Sequence, residues 1–149
     1  MKTYCTLDDL QNGMSQKTLV ELSNDDPMAS DVSEPVIDHV ISMAAEEIDG
    51  YLRGRYQLPL TVVPTMVRQL SIDVVRYHLY ARRSEGTNFP PAILERYKQA
   101  IVKLENLREG LISLGQAEGD QQGSDVLELG EIKVAKRTRL FDKRFLEQF

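Results

Sequence analysis

Few side chains in this 149-residue sequence are of the types that do chemistry, and their spacing joins none of them into a known active constellation. The two histidines, His39 and His78, fall in different segments. General acid–base or metal chemistry needs a histidine held beside a carboxylate or a second ligand, so a lone histidine in each segment reads as structural. No HExxH, phosphate-loop or GxGxxG pattern occurs. Glu46, Glu47 and Asp49 cluster, but with no His or Cys at ligand spacing they read as the solvated face of a helix. Cys5 is the one cysteine, which allows neither an internal disulfide nor a zinc cluster, and it reads as a small filler residue. Tyr51, Tyr56, Tyr77 and Tyr80 read as core or boundary aromatics, and with no Trp they make no base-stacking platform. No catalytic residue, metal or cofactor is expected, and the chain reads as a non-enzyme.

One segment resists a bland reading. Residues 116–125 form a polar, glycine-rich stretch that predicts a flexible linker. Beyond it, Phe141, Phe145 and Phe149 recur at spacing four, accompanied by Lys133, Lys136, Arg137, Arg139, Lys143 and Arg144. Disordered tails are poor in aromatics, whereas interface cores use aromatic anchors with arginine. Residues 126–149 therefore read as a docking arm that engages a neighbour by strand addition or helix-in-groove contact, with Lys133, Lys136, Arg137, Arg139, Phe141, Arg144, Phe145 and Phe149 as its contact residues. Folding back onto its own core is the alternative. Ile132-Lys133-Val134-Ala135-Lys136 alternates as a short strand would.

The body that carries this arm, residues 1–115, reads as all-α. Thr6 with Asp9 is a variant capping box for a short helix from Leu7 to about Asn12, with Gly13 as the residue beyond its end. Ser15 opens a second short helix through Leu22, and Ser23-Asn24-Asp25-Asp26-Pro27 is a turn cluster. Three long helices are predicted over Ser33–Arg55, Pro64–Arg83 and Pro90–Ile112. Ser33 is placed to cap the first. Its expected apolar stripe is Val36, Val40, Met43, Ala44, Ile48, Tyr51 and Leu52. The second presents Val67, Leu70, Val74, Tyr77 and Ala81, and the third Ile93, Leu94, Tyr97, Ile101, Leu104, Leu107 and Leu111. Asp49 and Arg53 are spaced to pair across one turn, and Gly50 and Gly54 suggest close approach by a neighbouring element.

The net charge of −5 hides a division. Residues 1–50 carry 2 basic and 11 acidic side chains, while residues 131–149 carry 6 basic and 3 acidic. An acidic front half argues against simple duplex binding, which needs clustered Lys and Arg to displace counterions. No apolar run approaches the roughly 20 residues of a membrane span, and the N-terminus lacks the apolar core of a signal peptide, so the chain is expected to start in the cytoplasm.

Three stretches together resemble a known family: Tyr4-Cys5-Thr6-Leu7-Asp8-Asp9-Leu10, Ile48-Asp49-Gly50-Tyr51-Leu52-Arg53-Gly54-Arg55-Tyr56-Gln57-Leu58-Pro59-Leu60, and Arg139-Leu140-Phe141-Asp142 with the terminal Phe149. The sequence is similar over nearly its whole length to the head–tail connector (neck adaptor) proteins of Mu-like phages and prophages. It departs from them where Glu147-Gln148 replaces the usual glycine near the last Phe. The resemblance implies an all-helical structural protein of the virion neck, assembled in the host cytoplasm into a ring of usually about twelve copies. Its implied partners are the portal protein and a head-closure or tail protein, with DNA passing through the lumen and no sequence-specific binding. Asp49, Tyr51, Arg55, Tyr56, Pro59 and Leu60 are assigned to the helix–loop–helix scaffold. An acidic lumen would let phosphates slide, which the acidic front half could supply. The competing readings are a helical DNA-binding regulator, for which the helix with Arg68, Arg76, Arg82 and Arg83 is the one candidate reader, and a small enzyme built around His39 or His78.

Overall fold

A computed structural model describes residues 2–83 and 89–115. Five helices follow in order: α1 (Leu7–Gly13), α2 (Gln16–Ser23), α3 (Glu34–Leu52), α4 (Thr65–Arg83) and α5 (Pro91–Glu109). No strand occurs among the described residues, so the body is all-α. The linker, the arm and the short strand predicted over 132–136 lie outside the described residues.

Local chemistry starts the short helices where the sequence predicts. The Asp9 amide donates to Thr6 Oγ1 at 3.3 Å and the Thr6 amide donates to Asp9 Oδ2 at 2.9 Å, a reciprocal capping box. The Ser15 hydroxyl accepts from the Thr18 amide at 3.2 Å. Two details differ from expectation. Gly13 is the last helical residue of α1 and not the one beyond it, and Met14 closes the helix with extended backbone. Ser33 sits at the cap position of α3 but makes no side-chain cap; its amide instead donates to Ser23 Oγ at 3.0 Å, tying α3's start to α2's end.

The long helices pack up, down and up. The start of α3 lies by the end of α2, which also touches the end of α4 through Arg82, whose Nη1 donates to the Leu22 carbonyl at 3.2 Å. Thus α3 and α4 run in opposite senses. Tyr77 of α4 stacks on Tyr97 of α5 with centroids 3.8 Å apart, and Tyr80 lies by Phe89 just before α5, so α4 and α5 are also antiparallel. The N-terminal segment tracks α4 along its length. Cys5 meets Ser71, Gly13 meets Arg76 and Leu22 meets Arg82.

The core gathers Leu10 and Leu19 from the short helices, Ile37, Ala44, Ala45, Ile48 and Leu52 from α3, Val67, Val74, Val75 and Leu79 from α4, and Leu104 and Leu107 from α5, all fully buried. This corrects the expected stripes. In α3, Ile37, Ile41 and Ala45 are buried, whereas Met43 is exposed and Val36 only partly covered. The reason is that α3 touches α1, α2, α4 and α5, so its buried arc is wider than one stripe and is centred elsewhere. In α4, Val75 and Leu79 replace Ala81, which is exposed. In α5, Ala100 is buried while Leu94 faces solvent, as does Leu111, which lies past the helix end at Glu109 and not within the helix predicted to Ile112.

The glycines of α3 also differ from expectation: a Cβ at Gly50 or Gly54 would meet nothing within 4 Å. Gly110 is the constrained one. It ends α5 at φ 80°, and an added Cβ would strike the Arg55 guanidinium. A left-handed conformation costs a non-glycine residue about 1–2 kcal/mol. Gly110→Ala should lower the unfolding free energy by about 1–2 kcal/mol, read as a lower urea midpoint at unchanged slope, without changing helical content.

Candidate functional site

Two constellations emerge from this packing. The first joins α3, α4 and α5. Glu47 lies near the middle of α3, His78 late in α4 and Tyr97 early in α5. Glu47 Oε2 is 2.8 Å from His78 Nε2, and Glu47 Oε1 accepts from the Tyr97 hydroxyl at 2.8 Å. Both side chains of the His78–Glu47 pair are largely covered. The hydrogen bond from His78, with that from Tyr97, holds the Glu47 carboxyl below the usual carboxylate range against the opposing pull of burial. Burial, and then the bond to Glu47, push the Tyr97 phenol well above its ordinary value. Tyr77 and Phe89 close this cluster by ring contacts. Glu47 is therefore not part of a solvated face, although Glu46 is exposed. His39 is exposed on α3, apart from this cluster. Among the described residues no group of three His, Cys, Asp or Glu could hold a metal.

The second constellation is where the α3–α4 connection meets the end of α5. Asp49 Oδ1 accepts from the Tyr4 hydroxyl, not from Arg53, which is exposed; the expected Asp49–Arg53 pair is thus absent. Burial and then Asp49 raise the Tyr4 phenol far above its ordinary value. Arg108 lies over the Tyr51 ring at 5.8 Å. Arg55 lies against Gly110, and the buried Tyr56 accepts from the Leu114 amide through its hydroxyl at 3.2 Å. Pro59 is exposed, and Leu60 is buried with its carbonyl taking Lys2 Nζ at 2.6 Å. The last described residues, up to Gly115, are thus placed by Arg55 and Tyr56. Lys133, Lys136, Arg137, Arg139, Phe141, Arg144, Phe145 and Phe149 lie outside the described residues.

The arginines of α4 have internal duties that the sequence does not reveal. Arg76 donates to the carbonyl of Gly13, the last residue of α1. Arg82 binds Asp25 with both carboxylate oxygens, at 2.7 and 2.8 Å, besides the Leu22 carbonyl. Arg83 donates to the Glu21 carbonyl and, at 2.6 Å, to that of Asn24. Guanidinium groups at the carbonyl ends of α1 and α2 also complement the helix dipoles. Their partners lie some 60 positions away, beyond the reach of local pattern reading. Cys5 is buried and accepts a hydrogen bond from Ser71 Oγ at 3.2 Å. Burial is the main cause raising its thiol above the ordinary value, which suits a packing residue.

The fold and these sites define a small helical protein whose polar side chains mainly tie its helices to one another. The chain belongs to the family described as Bacteriophage Mu, Gp36, whose model matches residues 4–128. It is 32% identical over 95 residues to the Mu-like prophage FluMu protein gp36 of Haemophilus influenzae, a match covering 64% of each chain. It is also 26% identical over 129 residues to gene product J of Escherichia phage Mu, covering 85% of this chain and 88% of that one. It is thus a Mu-like phage protein, and none of its described helices is long and apolar enough to cross a membrane.

Proposed function

We propose that this protein is a structural head–tail connector of a Mu-like phage or prophage, forming a ring between the portal and the head-closure or tail proteins, with DNA passing through its centre. The observation that carries the reading is the family match from residue 4 to residue 128, which takes in the helical body and its exit. It is supported by a division of labour in the chain: a packed helical body and an arm rich in Phe, Lys and Arg. The protein acts through its interfaces and not through catalysis, in the virion neck and, during assembly, in the host cytoplasm.

The regulator reading loses ground on one observation. Arg76, Arg82 and Arg83 bind carbonyls and a carboxylate of their own chain, so α4 does not offer them to a DNA groove. Three surface depressions among the described residues, of about 400, 300 and 460 Å³, are lined by residues other than His39 and His78.

Mass measurement on the full chain with and without the phage's portal protein tests the proposal. A closed multiple of the 16.9 kDa chain, formed alone or on the portal, is expected. A monomer that ignores the portal and shows salt-dependent duplex binding would sink it. Removing residues 126–149 should leave the helical circular dichroism signal intact and abolish that assembly; normal assembly by the truncated chain would remove the arm from the mechanism.

A further inference from the structure

We infer that the hollow where the α1–α2 junction meets α4 and α5 is a binding site for a small phosphate-class anion. The hollow has a volume of about 300 Å³ and is bounded by Gly13 and Ser15 at that junction, by Arg76 and Tyr80 of α4, and by Ala92 and Arg96 of α5. A volume of this order is the low end for small-molecule pockets, roughly 300–1,000 Å³. The Arg76 side chain is only 11% exposed and forms the base of the hollow. That of Arg96 is 58% exposed and stands at the rim.

Charge selects an anion. Two guanidinium groups line the hollow, and among the described residues no carboxylate does. Both share one carboxylate behind it, Asp73, at 3.9 and 4.0 Å, beyond hydrogen-bond reach. Asp73 Oδ1 and Arg76 Nε are buried with no hydrogen-bond partner, so the three groups do not close on one another. The bond from Arg76 to the Gly13 carbonyl adds no negative charge, and one positive charge is left over. The helix starts add to this field. Both α2 and α5 begin at the hollow, and neither has an acidic residue in its first turn, whereas α1 and α3 do.

The spread of donors selects a tetrahedral oxyanion. A carboxylate offers two oxygens in one plane, whereas the donors here come from three elements: a guanidinium on α4, a guanidinium on α5 and a hydroxyl at the start of α2. The Ser15 and Thr18 hydroxyls lie 2.8 Å apart, so one donates to the other and a single hydroxyl proton is spare. A phosphate group presents oxygens in all three directions. A DNA backbone would meet the rim at Arg96 but not the covered Arg76, which favours a free phosphate or a phosphate monoester over a duplex. The site stands apart from the ring reading above.

The test is equilibrium dialysis of the full chain against radiolabelled inorganic phosphate, with sodium chloride holding the ionic strength constant. Saturable binding of one phosphate per chain is expected. Arg96→Gln, at the exposed rim, should weaken it at least about tenfold, the scale of one charged hydrogen bond. Ala92→Glu, also at an exposed position, should abolish it by setting a carboxylate beside Arg96. Lys98→Gln makes the same charge change as Arg96→Gln on α5 but away from the hollow, and should leave the affinity within about twofold. Circular dichroism confirms that each variant is folded. Binding that does not saturate, that survives in both variants at the hollow, or that Lys98→Gln weakens equally overturns the site. Acetate displacing the label as well as unlabelled phosphate does would overturn the phosphate class. A blunt duplex without terminal phosphates that displaces it equally well would move the site to the DNA backbone and overturn the small ligand.

Discussion

Leu104→Ala should cost about 2–5 kcal/mol, the range for removing a buried leucine from a core that cannot fully collapse. Leu104 is fully buried and is the middle one of the three buried residues of α5, Ala100, Leu104 and Leu107, with Tyr97 and Ile101 partly buried against the same core. Against a typical total stability of about 5–15 kcal/mol, the loss decides whether α5 stays docked. Urea unfolding followed by circular dichroism should show a midpoint lowered in proportion, with the slope unchanged if unfolding remains two-state. A cost below about 1 kcal/mol would mean that α5 is not held by this seam.

Glu47→Ala should cost about 1–3 kcal/mol, because it strips the Tyr97 hydroxyl and the His78 ring of their shared partner in a half-buried place. Glu47→Gln keeps an acceptor for Tyr97 and should cost less. The two variants also report on pH. The Glu47 carboxyl is held below its ordinary value of about 4.5 in the folded chain. Its contribution is therefore complete above that value and is lost as pH falls through the lower, folded one. The native protein should lose this part of its stability only in that acid window, and Glu47→Gln should be flat across it. Thermal unfolding of both forms from pH 7 down to pH 3 checks the sign; equal slopes would place the pH dependence in other carboxylates.

The parts of the fold that were legible are those written in neighbouring residues. The Thr6–Asp9 box, the Ser15 cap and the proline starts of α3 and α5 are local chemistry, and each helix begins where they put it. The phase of the stripes was harder, because a helix with four neighbours buries Ile37, Ile41 and Ala45 on a flank that a one-face pattern assigns to solvent. Contacts over long separations were not legible at all. Glu47 meets His78 31 positions on and Tyr97 50 positions on, and nothing around Glu46-Glu47 distinguishes the clasped carboxylate from the solvated one. The same holds for Asp49, whose spacing suggested Arg53 but whose partner is Tyr4, 45 positions earlier. The proposed arm lies outside the described residues, and the sequence offers only its composition, with Phe141, Phe145 and Phe149 among Lys and Arg.

The two flanks of α4 are fastened by chemically different means, and this sets an order in which acid undoes them. On one flank the arginines grip amide carbonyls at the ends of α1 and α2, which do not change charge on the way down from neutrality, and the one carboxylate there, the exposed Asp25 on Arg82, adds to a hold that the carbonyls keep without it. On the other, the junction with α5 passes through an ionised carboxylate that a proton can silence. Falling pH should therefore peel α5 away first while α1 and α2 stay latched.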